Sequence, residues 1–173
     1  MPDCWAGMPY GFDSTRPVRR LAGFFRSGAL LVPVPGSRPS VFGAVSGPAL
    51  LARALFTEGL GAGVWSGLRR VRAVPKSATA TPGARPTAQI HYESLTVDAG
   101  SGALSDCVLI DDIVSKGRTL WAAAARMQEA FPGCRIGAFA LLRTIGFGAG
   151  VDRLLSPCIG EISWRGGDVR RNP

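Results

Sequence analysis

Lysine is almost absent from this 173-residue chain: Lys76 and Lys116 are the only two, and arginine carries nearly all of a net charge of +8. Histidine occurs once, at His91, and the four cysteines (Cys4, Cys107, Cys134 and Cys158) lie far apart with no Cys-x-x-Cys pair. That scarcity argues against a zinc site, whose ligands come as clustered Cys and His. The cysteines are expected to be free thiols, with Cys107 a small buried group at the head of an apolar strand. No Ser-His-Asp hydrolytic set is visible. Charged residues make up only 18%, fewer than in a typical soluble domain. Even so, no apolar run approaches the ~20 residues that span a bilayer. The start, Met1-Pro2-Asp3-Cys4-Trp5, lacks a basic region followed by an apolar core, so no secretory signal is expected. The expectation is a cytoplasmic protein with no membrane partner.

What is present suits a folded domain. The chain is 46% hydrophobic and 8% aromatic, which excludes disorder, and its length allows one domain, 1–173, with a proper core. Residues 1–100 hold eleven basic and five acidic residues, against nine and seven in residues 101–173. A basic surface attracts polyanions, from phosphorylated metabolites to nucleic acid, but no strong nucleic-acid motif accompanies it.

There is no obvious repeat. Residues 1–15 read as an irregular arm, and Arg16–Ser27 as a short helix with Leu21, Phe24 and Phe25 on one face. Ala29–Val34 is an apolar run long enough for a buried strand. Gly47–Glu58 has Leu50, Leu51, Ala54 and Leu55 at helical spacing and is stopped by Gly59. Val64–Val71 fits a strand. Arg72–Ala88 has no periodicity and contains Pro75, Pro82 and Pro86; loops of that length are usually functional lids or disordered. Gln89–Val97 alternates like a strand, with Ile90, Tyr92 and Leu95 as candidates for burial. Leu104–Asp111 is a further strand, and Leu120–Phe131 a helix burying Leu120, Ala124, Met127 and Phe131 before Pro132-Gly133. Arg135–Leu142 is another apolar strand, and Ile159–Trp164 a final short one before the polar end Arg170-Arg171-Asn172-Pro173. Strands alternating with helices predict an α/β fold: a mostly parallel central sheet flanked by helices.

The most informative stretch runs from Val108 to Leu120. Val108-Leu109-Ile110 leads into Asp111-Asp112, followed by Ile113-Val114-Ser115-Lys116-Gly117-Arg118-Thr119 and the helix. This is a buried strand delivering acids to its C-terminal edge, then a loop opening a helix, where backbone N–H groups and the helix dipole favour a phosphate. The paired carboxylates suit ribose hydroxyls, or Mg2+ through water. Ligands of such sheets bind at the carboxyl ends of the strands. The loops Pro35–Arg38, Arg72–Ala88 and Ile113–Arg118 all leave strand ends and are candidates to share one site.

The Asp111–Thr119 pattern resembles the phosphoribosyl diphosphate (PRPP) signature of type I phosphoribosyltransferases, with Asp111, Asp112, Ser115, Gly117 and Thr119 matching and Lys116 standing where that family has Thr or Ser. The resemblance spans roughly residues 28–145. It is nearest to the competence-protein-F-like (ComF-like) group, through Leu31-Val32-Pro33-Val34-Pro35, Leu50-Leu51-Ala52-Arg53-Ala54-Leu55 and Leu68-Arg69-Arg70-Val71-Arg72. The chain departs from that group in three places. The leading zinc-binding cysteine cluster is missing, only Phe42-Gly43 remains of an Arg-Gly-Phe-Asn stretch, and Pro75-Lys76-Ser77 replaces a glutamine.

The resemblance implies the type I phosphoribosyltransferase fold, with a core over 28–145 and a small hood built from the chain ends, 1–27 and 146–173. It implies a glycosyltransferase of nucleotide metabolism that uses PRPP and Mg2+ and releases pyrophosphate. Asp111 and Asp112 would bind the ribose hydroxyls and hold Mg2+ through water or PRPP. Ser115, Lys116, Gly117, Arg118 and Thr119 would cradle the 5′-phosphate; Lys116 either adds a point charge or faces solvent. Pro35, Gly36, Ser37 and Arg38 would form the pyrophosphate loop, and Arg72, Lys76 and Arg85 would sit on the lid. Lys76, Arg85 and Asp112 are the candidate catalytic residues. His91 is either a base for the incoming nucleophile or a packed strand histidine. Trp5, Tyr10, Phe12, Trp164 and Arg165 are hood candidates, either stacking on an acceptor base or serving as core. No motif identifies the acceptor. Two other functions stay open: a non-catalytic PRPP- or nucleotide-binding regulator, and a basic nucleic-acid-associated protein of DNA uptake or defence. A homodimer stays open as well.

Overall fold

Cys107, Val108, Leu109 and Ile110 have no solvent exposure, and their alternation builds two cores. Cys107 and Leu109 join Val32, Val34, Leu120, Ala123 and Met127. Val108 and Ile110 join Phe25, Leu31 and Ala52. Burial on both faces is what an apolar run without polar alternation encodes, and each such side chain contributes roughly 1.5–3 kcal/mol. The computed structural model describes residues 24–75, 85–100, 102–145 and 157–172. The N-terminal arm with Cys4, Trp5, Tyr10 and Phe12, most of the expected Arg16–Ser27 helix, Lys76 and most of the expected lid lie outside the described residues.

The elements are β1 (Leu30–Pro33), α1 (Gly47–Thr57), β2 (Gly63–Val64), β3 (Leu68–Arg70), α2 (Ala88–Ser94), β4 (Leu95–Val97), β5 (Asp106–Val114), α3 (Arg118–Ala130), β6 (Arg135–Arg143), β7 (Glu161–Arg165) and β8 (Asp168–Asn172). Four strands form a parallel sheet in the order β2-β1-β5-β6. The fold is thus α/β with a parallel sheet flanked by helices. Ala52 of α1 lies in the cluster with Val108 and Ile110, while α3 supplies Ala123 and Met127 to the cluster with Cys107 and Leu109. The two helices therefore cover opposite faces. The connection from β1 through α1 steps outward to β2, and that from β5 through α3 steps the other way to β6. The strand order reverses between β1 and β5, which makes their C-terminal ends the switch point where open α/β sheets bind ligands.

Four expectations need correction. Val64–Val71 is not one strand: β2 pairs with β1, whereas β3 pairs antiparallel with β4. Between them Gly67 passes the Trp65 ring so closely that a Cβ there would lie 2.2 Å from it. Gln89–Val97 is not a strand over its length. Thr87 caps α2 by accepting from the Ile90 N–H, and the buried residues Ala88, His91 and Ser94 recur every three positions, a helical spacing. Ile90 is exposed, while Leu95 is buried as expected. β5 runs past the acids to Val114, because β6 stays paired with it up to the Val114–Arg143 register. Finally, the polar end is strand β8, joined to β7 by Gly166-Gly167, both with positive φ, as a two-residue hairpin turn requires.

Cys107, Cys134 and Cys158 are free thiols. Among the described residues no helix is long and apolar enough to cross a membrane.

Candidate functional site

The loop from Ser115 to Gly117 leaves β5 and opens α3. Gly117 takes φ +85, a left-handed conformation that glycine adopts without cost. A side chain there would also collide with Ile162 of β7, at 2.9 Å, so the C-terminal hairpin packs down on this loop. The N-termini of α1 and α2 are capped by Ser46 and Thr87. α3 has Gly117 at its N-cap, no side-chain cap and no acidic residue in its first turn. Among the described residues its first amides thus lack a side-chain cap, the arrangement that favours an anion.

A cavity of about 110 Å³ opens at this point, lined by Arg85, His91, Asp111 and all of Ser115, Lys116, Gly117, Arg118 and Thr119. Seven of the residues singled out from the sequence as substrate-binding or catalytic therefore meet in one place, together with His91. Arg118 forms a two-pronged ion pair with Asp168, at 2.8 and 2.6 Å, and donates to the Pro86 carbonyl at 3.1 Å. Lys116 lies 3.6 Å from the same carboxylate. The Arg118 hydrogen bonds hold the Asp168 carboxyl down at about 2. The cations of the loop thus already face one carboxylate from the hairpin.

The adjacent acids part company. Successive residues of a strand point to opposite faces, so Asp111 shares the face of Leu109 and lines the cavity. Asp112 shares that of Ile110, with Oδ2 only 3.0 Å from the position a Cβ on Gly47 would take at the start of α1. The Asp111 carboxylate accepts from the Asp112 N–H at 3.0 Å. Burial and then the Asp112 charge push the Asp111 carboxyl up to about 7.

Arg70, only 2% exposed, organises the wall. It donates to the Gly36 carbonyl and the Ser94 hydroxyl, and to the Pro35 carbonyl at 3.4 Å. Burial lowers its pKa to about 10, partly offset by the charge of Asp111. The Pro35–Gly36 main chain is thereby turned onto Arg70, and the Ser37 carbonyl accepts from the Val74 N–H at 2.9 Å. Pro35, Gly36, Ser37, Arg38 and Arg72 do not line the cavity; Arg72 instead reaches the Glu93 carbonyl at 2.8 Å. Trp164 packs against Trp121 with ring centroids 5.1 Å apart.

Sequence reasoning weighed Arg70 only as part of the resemblance and placed His91 on a strand. The signal for Arg70 was its alternation with Leu68, which puts a charge on a buried face. No local signal marks Asp168 as the partner of Lys116 and Arg118. Among the described residues no group of three or more His, Cys, Asp or Glu side chains could hold a metal ion. Among those residues Asp111 is the one carboxylate lining the cavity, so a cation of the Mg2+ type, which keeps its waters and binds through one or two carboxylates and substrate phosphates, would be held there only jointly with a bound phosphate. No protein-family model matches the chain, and no curated protein matches it.

Proposed function

We propose that this protein binds PRPP with Mg2+ and acts as a phosphoribosyltransferase of the type I fold. The observation that carries the reading is the junction at the switch point: the uncapped start of α3, the Lys116 and Arg118 cations, and the Asp111 carboxylate around one cavity. A sugar phosphate needs both halves, amides and cations for its phosphate and a carboxylate for its hydroxyls.

In this reading the Ser115–Thr119 backbone binds the 5′-phosphate and Asp111 the ribose hydroxyls. Asp111, together with the phosphates of PRPP, would hold Mg2+, which would supply charge neutralisation at the pyrophosphate. The acceptor's nucleophilic atom bonds to the anomeric carbon as the carbon–oxygen bond to pyrophosphate breaks, and the electron pair leaves with pyrophosphate. Positive charge builds on the ribose ring, as in glycoside cleavage. In this reading Asp111 faces the ribose, where that charge would develop, and Arg85, which also lines the cavity, would meet the negative leaving group. The loop at the end of β1 is oriented by Arg70 through the Pro35 and Gly36 carbonyls.

A second reading, PRPP or nucleotide binding without turnover, is favoured by one feature. Asp112 lies against the start of α1 rather than in the cavity, leaving one carboxylate for two tasks. Calorimetric titration with PRPP and Mg2+, followed by assay of pyrophosphate release with candidate acceptors, separates the two. Saturable Mg2+-dependent binding with release supports the transferase, and binding without release supports the second reading. No PRPP binding defeats the transferase, and binding of neither PRPP nor a nucleotide defeats both.

A further inference from the structure

His91 is 4% exposed, yet it lines the cavity. Its Nε2 lies 3.5 Å from the Thr119 hydroxyl, and its Nδ1 is buried without a hydrogen-bond partner among the described residues. Few buried polar atoms go unpaired, and one on the wall of a binding cavity asks for a role. We propose that His91 is a positioning residue of the phosphate cradle: its Nε2–H donates to the Thr119 hydroxyl oxygen and so aims the Thr119 O–H at a bound phosphomonoester. The inference rests on the sugar-phosphate reading of the cavity.

The ring is held neutral. Burial, then the nearby Arg70 and Arg118 guanidinium groups, push its pKa down to about 4. A neutral imidazole carries one N–H and one lone pair, and the hydrogen-bond surroundings select which nitrogen holds the proton. A proton on Nδ1 would be a buried donor with no acceptor, the costlier kind of orphan. A lone pair there instead sits in the field of two guanidinium groups. These considerations assign the proton to Nε2, the nitrogen beside Thr119. A threonine hydroxyl accepts and donates at once, so accepting from His91 leaves its own proton free for an anion oxygen. Thr119 is the second residue of α3, so this O–H lies among the unsatisfied first-turn amides. The 3.5 Å separation shortens when a phosphate fixes the hydroxyl, as site hydrogen bonds commonly do on ligand binding.

The test is calorimetry of the full chain with ribose 5-phosphate and with ribose, for wild type, H91Q, H91N, H91L and T119V. Circular dichroism confirms that each variant is folded. Glutamine places an amide N–H near the position of Nε2, whereas asparagine places it near Nδ1. H91Q is expected to bind ribose 5-phosphate within about threefold of wild type. H91L, H91N and T119V are each expected to bind about tenfold more weakly, the size of one lost hydrogen bond, and combining H91L with T119V to add little. Wild-type affinity in H91L, or equal affinities of H91Q and H91N should H91L fail to fold, overturns the inference and leaves the sugar-phosphate reading standing. If wild type binds neither ribose 5-phosphate nor PRPP, that reading fails and takes the inference with it.

Discussion

The two ends of β5 carry the same residue type in opposite circumstances. At its N-terminal end Asp106 is gripped by Arg26, at 2.9 and 2.7 Å, and by Arg135, at 2.5 and 3.2 Å. These pairs, that with Arg26 above all, hold its carboxyl at about 2. Five residues on, Asp111 is half-buried beside another carboxylate with its pKa raised to about 7. One end is electrostatically satisfied by its two arginines. The other is pushed toward its neutral form by burial and a neighbouring carboxylate, and it lines a cavity. Perturbed titratable groups cluster at functional sites for this reason: a site ready for a ligand leaves interactions unmade until the ligand arrives.

The largest effect should come from the group that steadies the unsatisfied end. Arg70→Met removes the guanidinium shared by the Pro35 and Gly36 carbonyls, Ser94 and the field of Asp111. Breaking such a buried set costs about 3–5 kcal/mol, so the denaturant midpoint falls and PRPP binding falls with it. A stability unchanged in Arg70→Met would mean that the C-terminal end does not depend on this group.

The next pair of variants tests the comparison itself. Asp111→Asn should weaken Mg2+-PRPP binding about a hundredfold, equivalent to one or two charge-assisted hydrogen bonds. Asp106→Asn should leave binding alone and lower unfolding stability by about 2–4 kcal/mol. Calorimetry and urea unfolding on both proteins would expose a false division if the two variants behaved alike.

Acid should separate the ends as well. Asp106 has a folded pKa of about 2, below its unfolded value of about 3.9. Its stabilisation is therefore present in full above the unfolded pKa and lost as pH falls toward 2. The urea midpoints of wild type and Asp106→Asn should differ at pH 5 and converge near pH 2; a gap that persists to pH 2 contradicts the ion-pair account. The smallest effect is expected at the hairpin. Asp168→Asn frees Lys116 and Arg118, so phosphate should bind about two- to fivefold more tightly, with a stability loss under about 1 kcal/mol. Weaker phosphate binding would show that Asp168 orients those cations instead of competing for them.

How far the sequence could be read follows from the range of each interaction. The strand Val108–Ile110, the turn at Gly117 and the helix behind it are set by neighbours within a few positions, and they stand where the residue pattern puts them. α2 is a helix where the sequence suggests a strand, because a short segment with Ile90 and Tyr92 alternating is compatible with either period and the Thr87 cap decides it. The hairpin turn at Gly166-Gly167 is written in the sequence as a glycine pair between two β-compatible runs, but the polar composition of Arg170-Arg171 disguises the second run.

The sequence by itself determined that a buried parallel strand ends in two carboxylates and a loop able to cradle an anion, because hydrophobic patterning and glycine placement act locally. The tertiary structure decided which groups meet there. Register with β6 keeps Asp111 and Asp112 on opposite faces; Arg70 reaches Gly36 across 34 positions; and Arg118 meets Asp168 across 50. Such partners are chosen by how the layers pack, and that choice leaves no periodicity in the chain.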